Sequence, residues 1–274
     1  MIMATVLIGI DAGHGLRTSG KQTPDGIKEW TLNDKVADKV AAFLEDYDCK
    51  ILRLDNDEGY TDETLASRLN RYVQAGVKAF VSIHHNAFTG KWNNVTGVEV
   101  YTDRSPTTYD TQLANAIYSR LVKYTGLKGR GVKAEAWYVI NQNRIPAVLT
   151  EGGFMDSNID YKVITSDAGQ TAYARAVAEG LIEFLKLKKK TTTSAAPTTT
   201  AKSSDFKPYK VKVICSALSI RKTPIWSNND IVGVIKDKGT YTIVGEKMLG
   251  DTKFGKLKSG AGWISLGSSY VKKV

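Results

Sequence analysis

Two kinds of hydrophobic spacing alternate along the first two thirds of the chain. Short apolar, β-branched runs at 5–11, 49–54, 79–85, 97–102 and 146–151 read as strands. Between them, the segments near 31–46, 62–75, 106–125 and 167–187 carry apolar residues at helical spacing. In the first helix the stripe is Leu32, Val36, Val40, Phe43 and Leu44. In the last it is Ala172, Ala176, Val177, Leu181, Phe184 and Leu185, ahead of a basic end that suits a helix C-terminus. The alternation predicts an α/β layer fold with a twisted, mainly parallel sheet flanked by helices.

The pattern changes after residue 206. Runs at 209–213, 217–221, 231–235, 241–244 and 262–266 alternate apolar and polar residues and are separated by turn residues. Such spacing predicts a small antiparallel all-β barrel. The tract 188–204, rich in Lys, Thr, Ser and Ala, has almost nothing to bury and reads as an exposed linker. The chain of 274 residues is thus expected to hold a domain at 1–187, a flexible linker at 188–206 and a second domain at 207–274.

Charge separates the same two parts. The chain has 38 basic and 28 acidic residues, net +10. Residues 1–190 hold 24 basic against 23 acidic, whereas 207–274 hold 13 against 4, so nearly all the excess lies in the small domain. A basic surface attracts polyanions, but no nucleic-acid motif accompanies it. Cys49 and Cys215 fall in different domains without metal-type spacing, which excludes a disulfide framework. The opening residues are apolar but lack a basic leader and a cleavage site; they read as the first core strand. No signal peptide or membrane span is expected.

Candidate chemistry concentrates at strand ends. The chain has three histidines, His14, His84 and His85, and each sits where an apolar run gives way to small residues. Glu29 lies between them, just before a helical pattern. Two imidazoles and a carboxylate suit catalytic zinc, leaving a fourth position for a water whose pKa falls toward ~7. Such a site also needs a proton carrier, and Glu151 is the candidate, at the end of the strand 146–151 before a glycine pair. Ligands of an α/β sheet gather outside the carboxyl ends of its strands, where His14, His84 and Glu151 would all lie.

Singly, each residue has a plainer explanation. His14 alone is a packed or capping histidine, although Gly13 and Gly15 beside it clear space for a ligand. Glu29 alone is a solvated acid favoured at a helix start. His84 and His85 are neighbours on a strand and point to opposite faces, so one of them at most ligates. His84 shares parity with Phe80 and Ser82, His85 with Val81 and Ile83; parity leaves open which face meets the metal.

Four segments together resemble the zinc-dependent N-acetylmuramoyl-L-alanine amidases of the Amidase_3 family. These are AspAlaGlyHisGly at 11–15, Glu29 before Leu32 and Asn33, SerIleHisHisAsnAla at 82–87, and ProAlaValLeuThrGluGlyGlyPhe at 146–154. They occur in the family's order, from Val6 to about Leu187. The resemblance implies that His14, Glu29 and His84 bind Zn2+ and that Glu151 is general base and acid. His85 stands where the family often has a small residue. In the second domain, AlaLeuSerIleArgLysThrPro, LysGlyThrTyrThrIleVal and GlyAlaGlyTrpIleSerLeu resemble the bacterial SH3 type (SH3b) of wall-binding module.

The implied reaction is hydrolysis of the amide joining N-acetylmuramic acid to the L-alanine of the peptide stem. The implied partners are bacterial peptidoglycan and its anionic wall polymers. A wall hydrolase without a leader is expected to be a phage endolysin, held in the host cytoplasm until released to the wall. The competing readings are a host autolysin freed by mother-cell lysis, a zinc peptidase cutting within the stem, and a wall-binding protein with a dead catalytic fold.

Overall fold

The computed structural model describes residues 5–55, 63–142, 144–190, 206–215, 217–224, 231–249, 252–267 and 270–274. The chain divides into two compact units, Met1–Thr192 and Thr193–Val274. Most of the expected linker, 191–205, lies outside the described residues. Its first residues, 188–190, lie along 45–48: the Asp48 N–H donates to the Lys188 carbonyl at 2.9 Å and the Lys190 N–H to the Asp46 carbonyl at 2.7 Å.

Unit 1 is built on six strands: β1 (Val6–Ala12), β2 (Cys49–Arg53), β3 (Phe80–Asn86), β4 (Val98–Thr102), β5 (Gly129–Ala134) and β6 (Ala147–Phe154). Their order is β2-β1-β3-β6-β4-β5. All pairings are parallel except that between β4 and β6, so the sheet is mixed. The segment 129–134, GlyArgGlyValLysAla, is half polar and was not expected as a strand; it pairs on one side only, as the edge beside β4.

Five helices complete the unit: α1 (Glu29–Leu44), α2 (Leu65–Ala75), α3 (Thr108–Thr125), α4 (Tyr161–Ile164) and α5 (Asp167–Leu185). Side chains and glycines set their ends. The Thr64 and Ser166 hydroxyls accept N–H bonds at the starts of α2 and α5, and Thr107 and Asp110 form a capping box on α3. Gly76 and Gly126 end α2 and α3 in the left-handed conformation. Helix α1 has no side-chain cap and begins two residues earlier than its apolar stripe implies, which brings Glu29 into its first turn.

Alternation along the strands divides the sheet's two faces. Ile8 and Ile10 of β1, Val81 and Ile83 of β3, and Val100 of β4 are buried with Val36 and Val40 of α1, Ile117 of α3 and Val177 and Leu181 of α5. On the other face Phe80, Tyr101 and Leu149 are buried with Tyr72 of α2 and with Val139 and Ile140 from the segment between β5 and β6. Three long helices thus cover one face, and α2 with a loop covers the other.

Unit 2 contains β7 (Tyr209–Val213), β8 (Leu218–Arg221), β9 (Ile231–Ile235), β10 (Thr240–Leu249), β11 (Thr252–Leu257), β12 (Trp263–Ser265) and β13 (Val271–Lys273). They form one sheet in the order β13-β7-β10-β11-β12-β8-β9, with every pairing antiparallel. Val211, Val213, Leu218, Ile235, Ile243, Leu257 and Ile264 form its core. The expected barrel is therefore reduced to an antiparallel sheet, whose end strands β9 and β13 do not pair with each other among the described residues. Among those residues no helix is long and apolar enough to cross a membrane. Cys49 and Cys215 are both free thiols.

Candidate active site

The site lies at the carboxyl ends of β1 and β3, neighbouring strands from which the chain passes in opposite directions, from β1 to β2 on one side and from β3 across β6 to β4 on the other. His14 sits just past β1, Glu29 in the first turn of α1 and His84 on β3. One ligand atom from each lies within 4.8 Å of the others, a group that could hold a metal ion. His14 Nε2 is 3.3 Å from Glu29 Oε2, and His84 Nδ1 is 3.0 Å from Glu29 Oε1. The two imidazoles meet edge to face, with ring centres 4.8 Å apart.

Glu29 is 2% exposed, which rules out the solvated helix-start acid that its sequence position allowed. Burial by itself would raise its carboxyl pKa. The hydrogen bond to His84, the charges of His84 and His14 and the His85 N–H overcome that and hold it at about 2. The carboxylate is thus kept ionised in a buried pocket.

Backbone geometry brings the imidazoles in. His14 has φ of 65°, in the left-handed region that a side chain rarely adopts. Arg68 of α2, 1% exposed, donates to the carbonyls on both sides of that turn, Ala12 O at 3.0 Å and His14 O at 2.8 Å. A β-carbon on Gly13 would stand 2.0 Å from His84 Cε1, so only glycine lets β1 and the His84 ring approach this closely.

Arg68 also pairs with buried Asp11, and Asp11 Oδ2 accepts from the Ser82 hydroxyl at 2.8 Å. The Ser82 oxygen lies 3.2 Å from His84 Nε2. With its single hydrogen spent on Asp11, the Ser82 oxygen is an acceptor toward His84 Nε2, and the Nδ1 edge of the ring is turned to Glu29. One buried chain of contacts, Arg68–Asp11–Ser82–His84, therefore orients one imidazole while its guanidinium clamps the turn bearing the other. A cavity lined by Asp11, His14, Glu63, Arg68, Ser82 and His84 opens beside it.

His85 takes the opposite face. It is 2% exposed, its Nδ1 lies 2.8 Å from Asn33 Oδ1, and its ring packs edge-on against Tyr173. Burial pushes its pKa down to about 4, so it is neutral at physiological pH. Asn33 in turn donates to the Gly13 carbonyl at 3.0 Å and to Glu29 Oε1 at 3.3 Å. His85 supports α1 from behind and is not in the group around Glu29.

Glu151 on β6 stands opposite His84 in the parallel register and opposite Glu99 in the antiparallel one. It is buried, and its Oε2 has no hydrogen-bond partner. Burial, followed by the charges of Glu29 and Glu99, raises its pKa well above the ordinary carboxylate range. Glu99 stays ionised because Lys133, Tyr101 and Arg130 all donate to it. Beneath Glu151, a β-carbon on Gly152 would stand 1.9 Å from Tyr173 Cε1; Tyr173 donates to the carbonyls of Thr150 at 2.9 Å and His84 at 3.2 Å.

Arg68, Ser82, Asn33, Glu99 and Tyr173 were not singled out from sequence as site residues. Arg68 left one legible signal: it falls a helical turn before buried Tyr72, a cation on an apolar face. Trp30 is core, and Trp137 stacks on Tyr101 with ring centres 4.3 Å apart.

A group of His, Glu and His donors that could hold a metal ion, at the carboxyl ends of an α/β sheet and beside a strand bearing a second buried glutamate, is an arrangement suited to a hydrolase. Residues 8–183 match the family Amidase_3, described as N-acetylmuramoyl-L-alanine amidase, and the chain belongs to that family. It is 33% identical to the endolysin of Bacillus phage SPP1 over 277 residues, 97% of each chain. It is 31% identical to the sporulation-specific N-acetylmuramoyl-L-alanine amidase of Bacillus subtilis (strain 168) over 186 residues, 67% of this chain and 70% of that one. Among solved structures, the catalytic domain of the amidase CwlV from Bacillus (Paenibacillus) polymyxa var. colistinus superposes with a TM-score of 0.61 at 26% identity, covering 67% of this chain and 99% of that one. The amidase of Clostridium difficile 630 gives 0.62 at 25%, covering 66% and 97%. The chain is a peptidoglycan amidase.

Proposed function

We propose that the chain is a zinc-dependent phage endolysin that cleaves the bond between N-acetylmuramic acid and L-alanine, with His14, Glu29 and His84 as metal ligands and Glu151 as proton carrier. The observation that carries the metal reading is the convergence of one ligand atom each from His14, Glu29 and His84 within 4.8 Å of one another, about a carboxylate that is 2% exposed. When bound there, zinc supplies an acidified water and a Lewis-acid pull on the scissile carbonyl.

The chain's own residues do the rest. Glu151, buried and repelled by Glu29 and Glu99, has its pKa raised above the ordinary carboxylate range, the direction that strengthens a carboxylate as a base. Its unpartnered Oε2 is free to accept the proton of the attacking water. The same oxygen then returns that proton to the alanine nitrogen as the amide breaks, so base and acid are one group.

The endolysin reading rests on the similarity to a phage endolysin along 97% of both chains. In that reading the protein gathers in the host cytoplasm and reaches the wall on release, and 207–274, joined by the linker at 188–206, is an SH3b-like module that holds it on the wall and its anionic polymers. Mass spectrometry of fragments released from purified Gram-positive peptidoglycan by the zinc-loaded protein tests the reaction. Free stems beginning with L-alanine are expected. Glycan that still carries alanine would assign the chemistry to a peptidase.

A further inference from the structure

Unit 2 places like charges where a sheet ordinarily avoids them. In the register between β7 and β13, Lys272 stands directly opposite Lys212. Opposed like charges on a sheet face are destabilising. Lys210 shares the face with Lys212, two residues and ~6.8 Å along the strand. All three lysines are exposed, and they have no ion-pair partner among the described residues. On the other side of β7, Thr240 lies opposite Lys212 and Thr242 opposite Lys210, which adds two hydroxyls to the rows. A shallow groove beside them is lined by Thr240, Thr242, Lys258 and Ser259.

The acids nearby are already engaged. Asp237 accepts from the Tyr241 hydroxyl at 2.5 Å, and Glu246 accepts from Tyr209 and pairs with Lys253. Lys273, the remaining cation of β13, lies over the Tyr209 ring. Three exposed lysines thus share one face, as rows of point cations next to hydroxyl donors. Ammonium groups and hydroxyls in rows match the singly charged, repeating phosphates of a flexible polymer.

We infer that the face formed by Lys210, Lys212, Lys272, Thr240 and Thr242 is a docking surface for a phosphodiester polymer of the Gram-positive wall. The inference rests on the reading of this chain as an enzyme of that wall. Each neutralised phosphate would release counterions, so binding on this face is strongly salt-dependent.

The test uses the full chain, a K210Q/K212Q/K272Q variant and a charge-matched control, K50Q/K78Q/K123Q, in unit 1. Retention is measured across a salt series on purified walls, before and after hydrofluoric acid removes their phosphodiester polymers. The unit 2 variant is expected to bind intact walls at least about tenfold more weakly at low salt, with its salt slope reduced by about two for three lost contacts. The control should bind like the parent, and parent and variant should converge on stripped walls. Equal retention of parent and variant on intact walls would overturn the inference, as would equal loss in the control or undiminished parent binding to stripped walls. If duplex DNA binding falls in the variant while wall binding does not, the face belongs to nucleic acid instead. Hydrolysis of a soluble muramoyl peptide, followed in parallel, judges the amidase reading separately: its absence in all three proteins would sink that reading whatever the walls show.

Discussion

His84 and His85 are neighbours in sequence and differ in almost everything else. His84 points to the face of the sheet that α2 covers, among Asp11, Ser82, Arg68 and Glu29. His85 points to the face covered by α1, α3 and α5, where it packs against Asn33 and Tyr173 and burial keeps it neutral. Both faces carry an apolar core, but at the carboxyl end of β3 one face stays packed while the other holds the ionised and polar groups. The site is built on the thinner side because three long helices leave no room for a substrate, whereas α2 and a loop leave a cavity beside the imidazoles.

The contrast is broken most severely at Glu151, the proposed proton carrier. Glu151→Gln should lower kcat on a muramoyl-peptide substrate by about 10²–10⁴-fold while zinc content stays that of the parent. Turnover within a few-fold of the parent would remove Glu151 from its role. The paired histidines come next. His84→Ala should lose the metal, measured by atomic absorption after dialysis, and keep most of the fold. His85→Ala should retain the metal yet lose about 2–4 kcal/mol in a denaturant titration, through a cavity and an unpaired Asn33. The reverse pattern would mean that the faces have been assigned to the wrong roles.

The chain of contacts behind His84 predicts an intermediate effect. Ser82→Ala leaves the Nε2 proton without its acceptor and should weaken zinc binding by about 10–100-fold in a chelator competition. Unchanged affinity would reduce Ser82 to a packing residue. Smaller still is the effect of Glu99→Gln. Activity needs Glu151 ionised, so it rises with pH through the pKa of that group, which burial and the charges of Glu29 and Glu99 have raised. Removing the Glu99 charge lowers that pKa and should move the acid limb of kcat/KM to lower pH, whereas a fixed limb would show that Glu99 does not act on Glu151.

The same shift has a sign for stability. A carboxyl whose folded pKa exceeds its unfolded one favours folding below the ordinary carboxylate range, and that contribution is lost as pH rises through the folded value. Metal-free Glu151→Gln should therefore unfold at higher temperature than the metal-free parent near neutral pH. Equal melting temperatures would show that the raised pKa has no consequence for the fold.

Much of the candidate site is legible in the order of residues alone, for a local reason. Strands that end in AspAlaGlyHisGly and SerIleHisHisAsnAla must present their polar residues just past a buried run, and helical and strand periods are written residue by residue. The strand and helix positions of unit 1 followed from those periods. The half-polar edge strand β5 did not, because it buries little. Nor did the antiparallel insertion of β4 beside β6, since pairing partners far apart in sequence leave no periodic trace. Glu29 was weak in sequence because an acid at a helix start has a solvated explanation, which only its burial removed.

Family resemblance chose His84 over His85; the sequence by itself determined the two hydrophobic grammars, the basic excess of the second unit, and the placing of His14, Glu29, the two adjacent histidines and Glu151 at element ends. These are properties of composition and spacing, to which neighbours along the chain contribute directly. Only the tertiary structure decided that His84 faces Glu29 and Ser82 while His85 faces Asn33 and Tyr173, that Arg68 from a separate helix clamps the His14 turn, and that Lys212 and Lys272 stand opposed on one sheet. Each of those depends on packing and register between segments distant in sequence, where burial, close approach and electrostatics arise from elements that meet only in the folded chain.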